Sequence, residues 1–515
     1  MLAVVAERDS VEEVGLEEGF DEAARRILKT TKSLCPVCMT LIDADVVAED
    51  GQVFLEKSCP EHGFFRDVYW SDLEMYLKFE RFAYDGGGVE SFQHESVKGC
   101  PFDCGLCENH KTTTILANID LTNRCNMRCP ICFANAHVSG RVYEPSFEEV
   151  RQMLLMLREQ KPVPCPAVQF SGGEPTVRED FVDVVKMAKD MGFAQVQVAT
   201  NGLVMAGSVD YCRKLKEAGL NTVYLQFDGT TPEPYYTTRG GNYFPQKLKV
   251  IENCRQAELK SITLVPTLVK GLNDGQMGDI VRFAFDNSDV VRCVNVQPIS
   301  FAGRVEVDEL KSMRITIPDL FRLLEEQTDG QITRDDFYPV PFVVPISKFV
   351  ESLNKKSYVE FTVHPHCGAG TYLFEDNGKI IPITRFFDVE GMYEYITQEA
   401  EEVGSKWGKL RFSAGLLKRL SSYVDRSKMP EDVDVLRMFY DVLAKGDLSS
   451  TAKFHRKAIF LGVMHFQDIY NFDRERVCRC GIHYALPDGR TIPFCTYNTL
   501  YREQFEAAHS KPFEP

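Results

Sequence analysis

A chain of 515 residues with 44% hydrophobic and 26% charged residues has globular composition and is too long for one ordinary core, at roughly 150 residues per domain. Its formal charge of −16 argues against a general nucleic-acid binder, because phosphate contacts need clustered Lys and Arg. No apolar run approaches the roughly 20 residues that cross a bilayer, and MLAVVAERDSVEEVGLEEGFDEAARR lacks the basic start and small-residue cleavage site of a secretory signal. The expectation is a soluble cytoplasmic chain, in which 17 cysteines call for metal rather than disulfides.

In chain order, CPVC (35–38) and CPEHG (59–63) come first and give C-x2-C-x20-C-x2-H. That spacing suits one tetrahedral ion on Cys35, Cys38, Cys59 and His62, either zinc or a rubredoxin-like iron. Next come Cys100, Cys104 and Cys107 in a CxxxCxxC pattern, within a Cys-rich and turn-rich stretch that runs to about residue 113.

From Ile115 short β-rich runs alternate with helical patterns, the signature of βα units on a parallel sheet. Strands are expected at 115–122, 167–173, 195–202, 222–229, 261–269 and 291–300, with five amphipathic helices between them. This predicts an α/β fold, an incomplete six-stranded barrel whose ligand site lies at the C-terminal strand ends. A second CxxxCxxC, Cys125, Cys129 and Cys132, follows the first strand, and Gly172, Gly173, Glu174 and Pro175 follow the second, so both face the same cavity. Cys165, Cys212, Cys254 and Cys293 stand alone in apolar or helical surroundings and read as small buried hydrophobes.

Beyond about residue 306 come Pro-broken apolar runs, Cys367 in HCGAG, and Cys478, Cys480 and Cys495 around a hairpin turning at Asp488-Gly489. The expected division is therefore 1–112, 113–305 and 306–515.

Three cysteines in one loop can ligate three irons of a cubane and leave the fourth open to a small molecule. With the GGEP stretch, the second triplet resembles the radical S-adenosylmethionine (SAM) superfamily. The resemblance implies a partial (β/α)6 barrel and a [4Fe-4S] cluster on Cys125, Cys129 and Cys132 that cleaves SAM to a 5′-deoxyadenosyl radical. It further implies cofactor contacts from Gly172, Gly173, Glu174, Pro175, Asn201, Gln226, Asp228, Arg239 and the strand near Gln297. Where an aromatic residue often precedes the third cysteine in that superfamily, this chain has Ile131. The C-terminal cysteines resemble the auxiliary-cluster segments of SPASM and twitch enzymes, with Cys367 free to complete either auxiliary cluster. Three [4Fe-4S] clusters and one mononuclear Fe or Zn are expected.

In overall layout the chain resembles the archaeal tetraether synthase family, formerly a class of radical methylases. That implies joining the terminal methyl carbons of an isoprenoid diether phospholipid, with an electron donor such as ferredoxin and peripheral membrane contact. The apolar segments 337–350 and 460–466 are candidate walls for a lipid tunnel. A radical methylase acting on a pterin or other small molecule is the alternative, then a SPASM-type peptide-modifying enzyme. A non-enzymatic metal scaffold has no use for GGEP.

Overall fold

A computed structural model describes residues 24–512, apart from 94, 133, 135–139, 303–310, 355–356, 403–418, 431–435 and 437–457. The first 23 residues, read above as unlike a secretory signal, lie outside the described residues.

The chain begins with an antiparallel meander, β1 (Arg26–Leu34), β2 (Leu41–Glu49), β3 (Gln52–Cys59) and β4 (Gly63–Trp70). The turns β1–β2 and β3–β4 fall at the same end of this sheet, and each carries half of the CPVC/CPEHG pattern. Helix α1 (Leu73–Glu80) follows, capped by the Asp72 carboxylate, which accepts from Met75 N at 2.9 Å. Its buried face, Leu73, Met75, Tyr76 and Phe79, joins the sheet to the main core.

The six expected strands form in parallel order: β5 (Leu116–Thr122), β6 (Ala167–Gly172), β7 (Gln195–Thr200), β8 (Thr222–Gln226), β9 (Ile262–Val265) and β10 (Val291–Pro298). Between them run α2 (Phe147–Arg158), α3 (Phe181–Asp190), α4 (Val209–Glu217), α5 (Phe244–Gln256) and α6 (Met277–Asp286). Ser146 and Glu149 make a reciprocal capping box at the start of α2, at 3.2 and 2.7 Å. Strand alternation sends Ala117, Ile119, Val168, Phe170, Val196, Val198, Val223 and Leu225 into the core beneath these helices, all fully buried.

The chain after residue 306 is not a separate layer. It supplies β11 (Gly368–Asp376), β12 (Ile459–Met464), β13 (Ile482–Ala485) and β14 (Thr491–Pro493). Strand β12 adds in parallel to β10, and β13 adds in parallel to β5 on the opposite edge. The six-stranded expectation thus becomes eight parallel strands, with β11 pairing antiparallel beyond β12 and β14 antiparallel beyond β13. The sheet curls so that Met464 and Tyr484, from its two flanks, line one cavity.

Of the two candidate tunnel segments, 460–466 reaches this cavity through Met464 and Phe466. Residues 337–350 do not line it: Phe349 and Val350 pack with Phe374, Phe386 and Met392 in a second core, so apolar composition there is ordinary burial. Cys165, Cys212 and Cys254 are fully buried and Cys293 is partly buried. No helix among the described residues is long and apolar enough to cross a membrane.

Three distant segments meet at Arg314. Its guanidinium, 4% exposed, pairs with Asp468 at 2.7 and 3.1 Å and with Asp67 of β4. Removing one partner of such a buried set strands the other charges. Arg314→Ala is expected to lower unfolding free energy by about 3–5 kcal/mol, read as a drop in the urea midpoint without a change in slope.

Candidate active site and metal centres

Main-chain contact holds the second cysteine triplet to the barrel. Gly173 N donates to Thr122 O at 2.7 Å and Glu174 N to Arg124 O at 2.8 Å, so the residues after β6 pair with the loop that carries Cys125. A Cβ on Gly172, which sits at φ +125°, would lie 2.2 Å from Thr122 O, and one on Gly173 would lie 2.3 Å from Arg124 O. Only glycine permits this approach.

Glu174 is 1% exposed and saturated. It accepts from Thr176 N (3.1 Å), Thr176 Oγ1 (2.5 Å), Thr200 Oγ1 (2.7 Å) and Asn201 N (2.7 Å). Burial raises its carboxyl pKa, and these donors oppose the rise. The carboxylate thereby pins Asn201, whose Nδ2 reaches Asn126 Oδ1 at 2.7 Å and Cys125 Sγ at 3.8 Å. Pro175 starts the short helical turn that follows.

A second network lies across the loop. Fully buried Asp228 receives Arg239 in a fork at 2.6 and 3.0 Å, with Thr238 and Gln226 also donating to it. Arg239 donates onward to Ile131 O at 3.3 Å, and Cys129 feels its charge. Lys247, on the buried face of α5, donates to Asn201 O (2.6 Å) and Gln226 Oε1 (2.7 Å), and burial pulls its pKa down to about 7. Sequence reading passed over Lys247, although an uncharged face would be expected where PQKLKVIENC meets the core. Burial pushes the Cys125 thiol up to about 12, so this sulfur ionises when a metal takes it.

Below the loop, a cavity of about 310 Å³ runs into the barrel lumen, within the range of ligand pockets. Its wall is polar on alternate strand positions. Gln197 donates to Gln169 and Gln169 to Asn118, each at 2.7 Å; opposite them, Asn295 and Gln297 both donate to Tyr224 OH. Asn118 Nδ2 is buried without a partner. Asp120, Ser171, Tyr484 and Arg502 close one side, with Arg502 Nη1 on Asp120 at 2.6 Å and Ser171 Oγ on the same carboxylate at 2.8 Å. Of these residues sequence reading named only Gln297; for Gln169, Ser171, Gln197 and Asn295 the signal was the alternation in AVQFSG, QVQVAT and VNVQP.

The remaining cysteines separate into three groups. Cys35, Cys38, Cys59 and His62 converge: His62 Nδ1 lies 3.7 Å from Cys35 Sγ and 3.5 Å from Cys59 Sγ, and Cys38 lies 3.9 Å from Cys59. A tetrahedron of ~2.3 Å metal–sulfur bonds has edges of about 3.8 Å, so the four atoms fit one ion.

The grouping expected for the C-terminus is corrected. Cys478 faces Cys100, Cys104 and Cys107 around a shared internal space and touches Cys100. Cys480, two residues on, instead lies with Cys367 and Cys495, where burial pushes Cys495 up to about 12. Cys478 is the last residue of a short helix, Arg474–Cys478, and Cys480 lies beyond its end, so the chain changes direction between the two and Cys-x-Cys serves two groups. Cys367 therefore sits with the second, inner group.

The glycine contact is testable. Gly173→Ala forces the two backbones apart and is expected to cost roughly 1–3 kcal/mol in thermal unfolding, with about four irons lost from the reconstituted protein. Unchanged stability and iron would show that the contact does not hold the loop.

Comparison with known proteins agrees with this geometry. Residues 119–284 match the Radical SAM superfamily, and residues 27–71 match the HMPTM N-terminal zinc ribbon domain. The chain is 52% identical over 490 residues to the 7,8-dihydro-6-hydroxymethylpterin dimethyltransferase of Methanocaldococcus jannaschii, covering 94% of this chain and 96% of that one. It is 28% identical over 256 residues to the GTP 3′,8-cyclase of Peptoclostridium acidaminophilum, 46% of this chain and 75% of the other. The crystal structure of Streptococcus suis SuiB bound to precursor peptide SuiA aligns with 43% of this chain and 47% of its own, at 18% identity and a TM-score of 0.36. With identity above half across nearly the whole of both sequences, the chain belongs to the radical SAM superfamily and, within it, to the family of the Methanocaldococcus jannaschii protein.

Proposed function

We propose that this enzyme transfers methyl groups to a pterin-class heterocycle held in the barrel lumen. The observation that carries the reading is the pair of hydrogen-bonded rows, Asn118-Gln169-Gln197 and Tyr224-Asn295-Gln297, directly below the Cys125 loop. A fused pyrimidinone presents donors and acceptors around a flat ring, and amides can rotate to meet either. The relative that matches across its whole length carries a pterin dimethyltransferase name, which supports the same substrate class.

In this reading Cys125, Cys129 and Cys132 hold a [4Fe-4S] cluster, and SAM bound there supplies a 5′-deoxyadenosyl radical. Gly172 and Gly173 bring backbone close to the cofactor, and Asn201 offers its amide beside Cys125. Glu174, Pro175, Gln226, Asp228 and Lys247 act from behind, fixing Asn201 and Arg239. Gln297 fixes Tyr224 in the lumen, and the Asp120–Arg502 pair orients the substrate's polar edge while the packed wall keeps water out. Cys100, Cys104, Cys107 and Cys478 hold an outer auxiliary [4Fe-4S] cluster, Cys367, Cys480 and Cys495 an inner one, and Cys35, Cys38, Cys59 and His62 a mononuclear zinc or iron. A donor such as ferredoxin supplies electrons.

A second reading, coupling of diether-lipid methyl ends to a tetraether, draws on one observation. The wall between the lumen and the inner cysteines is apolar, made by Met464, Phe466, Ile482 and Phe494, as an alkyl end requires. Peripheral membrane contact belongs to this reading alone.

Reconstituted enzyme given SAM, reductant and either a dihydropterin or a diether lipid deuterated at its terminal methyls separates them. The expected result is methylated pterin with no deuterium in 5′-deoxyadenosine; lipid label in 5′-deoxyadenosine with a joined product would replace the first reading by the second. The metal count is a separate expectation: roughly thirteen metal ions and about twelve sulfides per chain under four irons per cubane. Sulfide near eight would remove one auxiliary cluster.

A further inference from the structure

Arg178, Arg239, Arg314, Arg476 and Arg502 are buried or nearly so, and Arg476 differs from the other four in its partners. Arg178, Arg239, Arg314 and Arg502 each face an aspartate at 2.6–2.7 Å. Arg476 is 3% exposed, and among the described residues no carboxylate forms an ion pair with it. Its Nε instead lies 3.3 Å from Cys367 Sγ, its Nη2 donates to His465 O at 2.6 Å, and Tyr69 covers it with a ring 5.9 Å away. Cys367 and Cys495 are the sulfurs its charge faces. A buried guanidinium without a counter-charge is strongly destabilising, so this position calls for an anion. A cubane on thiolates is such an anion, and Cys367 and Cys495, with Cys480 beside them, are free to hold it.

Resting on the reading of Cys367, Cys480 and Cys495 as a cluster site, we propose that Arg476 is a positioning residue that raises the reduction potential of the inner auxiliary cluster above that of the outer one. Reduction adds one negative charge to the cluster, and a buried cation hydrogen-bonded to a ligating sulfur favours that form. The outer group has the opposite setting. Asp103 and Glu108 bear on Cys107, and Arg474 and Lys111 bear on Cys478 through charge rather than through a hydrogen bond. Cys478 and Cys480 are two residues apart, at most about 7 Å along the backbone, so one electron lost by the outer cluster is gained by the inner one across a single residue. The inner cluster adjoins the lumen, because Phe494 and Ile482, neighbours of Cys495 and Cys480, line it. An electron thus comes to rest beside the substrate.

The test is a potentiometric titration followed by EPR on reconstituted full-length protein, with iron and sulfide measured on every sample. Arg476→Gln is expected to move one auxiliary midpoint to more negative potential and leave the other in place; Arg476→Lys, which keeps the charge, should stay near wild type. A Gln variant with full iron and unmoved midpoints overturns the proposal. So does loss of about four irons from both variants, which would make Arg476 a requirement for assembly rather than for potential. If Gln alone loses the cluster, a Lys midpoint near wild type supports the proposal and a shifted one overturns it. Wild-type sulfide near eight that does not fall further when Cys480 and Cys495 are replaced by Ala would instead refute the cluster reading of the inner cysteines.

Discussion

Two main-chain hydrogen bonds, Gly173 N to Thr122 O and Glu174 N to Arg124 O, set the position of everything the site does. They require that no side chain stand between β6 and the cysteine loop, which is why two glycines occur there. From that contact Glu174 fixes Asn201, Asn201 meets Cys125, and Lys247 ties Asn201 to Gln226 and so to the Asp228–Arg239 fork. The described part of the loop is thus braced from both sides.

The C-terminal chain explains why one CxxxCxxC is not enough to describe this protein. Having supplied β12 to one edge of the sheet, it crosses to supply β13 to the other, and on the way passes behind both auxiliary groups. Cys478, at the end of a short helix, is delivered outward, and Cys480, two residues on, inward. The same crossing closes the lumen with Met464, Phe466, Tyr484 and Arg502, so the segment that completes the cysteine groups also completes the cavity wall.

Much of this was legible in the residues themselves. The six central strands lie where β-rich runs alternate with amphipathic helices, within a few residues at each end, and the metal knuckle follows from ligand spacing. The edge strands were not legible, because IFLGVM and IHYA are short apolar runs whose partners lie more than 160 residues away in β10 and more than 360 away in β5, and periodicity says nothing about which sheet a strand joins. A cavity at the strand ends was expected, but its polar lining was not, because attention to apolar positions hides the polar ones between them: Gln169 and Gln197 alternate with core residues and face inward together. The split of Cys478 from Cys480 depends on tertiary direction, which spacing does not encode. The apolar run at 337–350 misled for the converse reason, since hydrophobic composition does not distinguish a tunnel from a core.

The central claim is that the triplet after β5, and not its upstream twin, is the cofactor-cleaving centre. EPR of the dithionite-reduced protein with and without SAM tests it most directly, in one variant with Cys125, Cys129 and Cys132 replaced by Ala and another with Cys100, Cys104 and Cys107 replaced. The account predicts that SAM changes the signal of the second variant and leaves that of the first unaltered. A SAM response in the first variant, with none in the second, would contradict it.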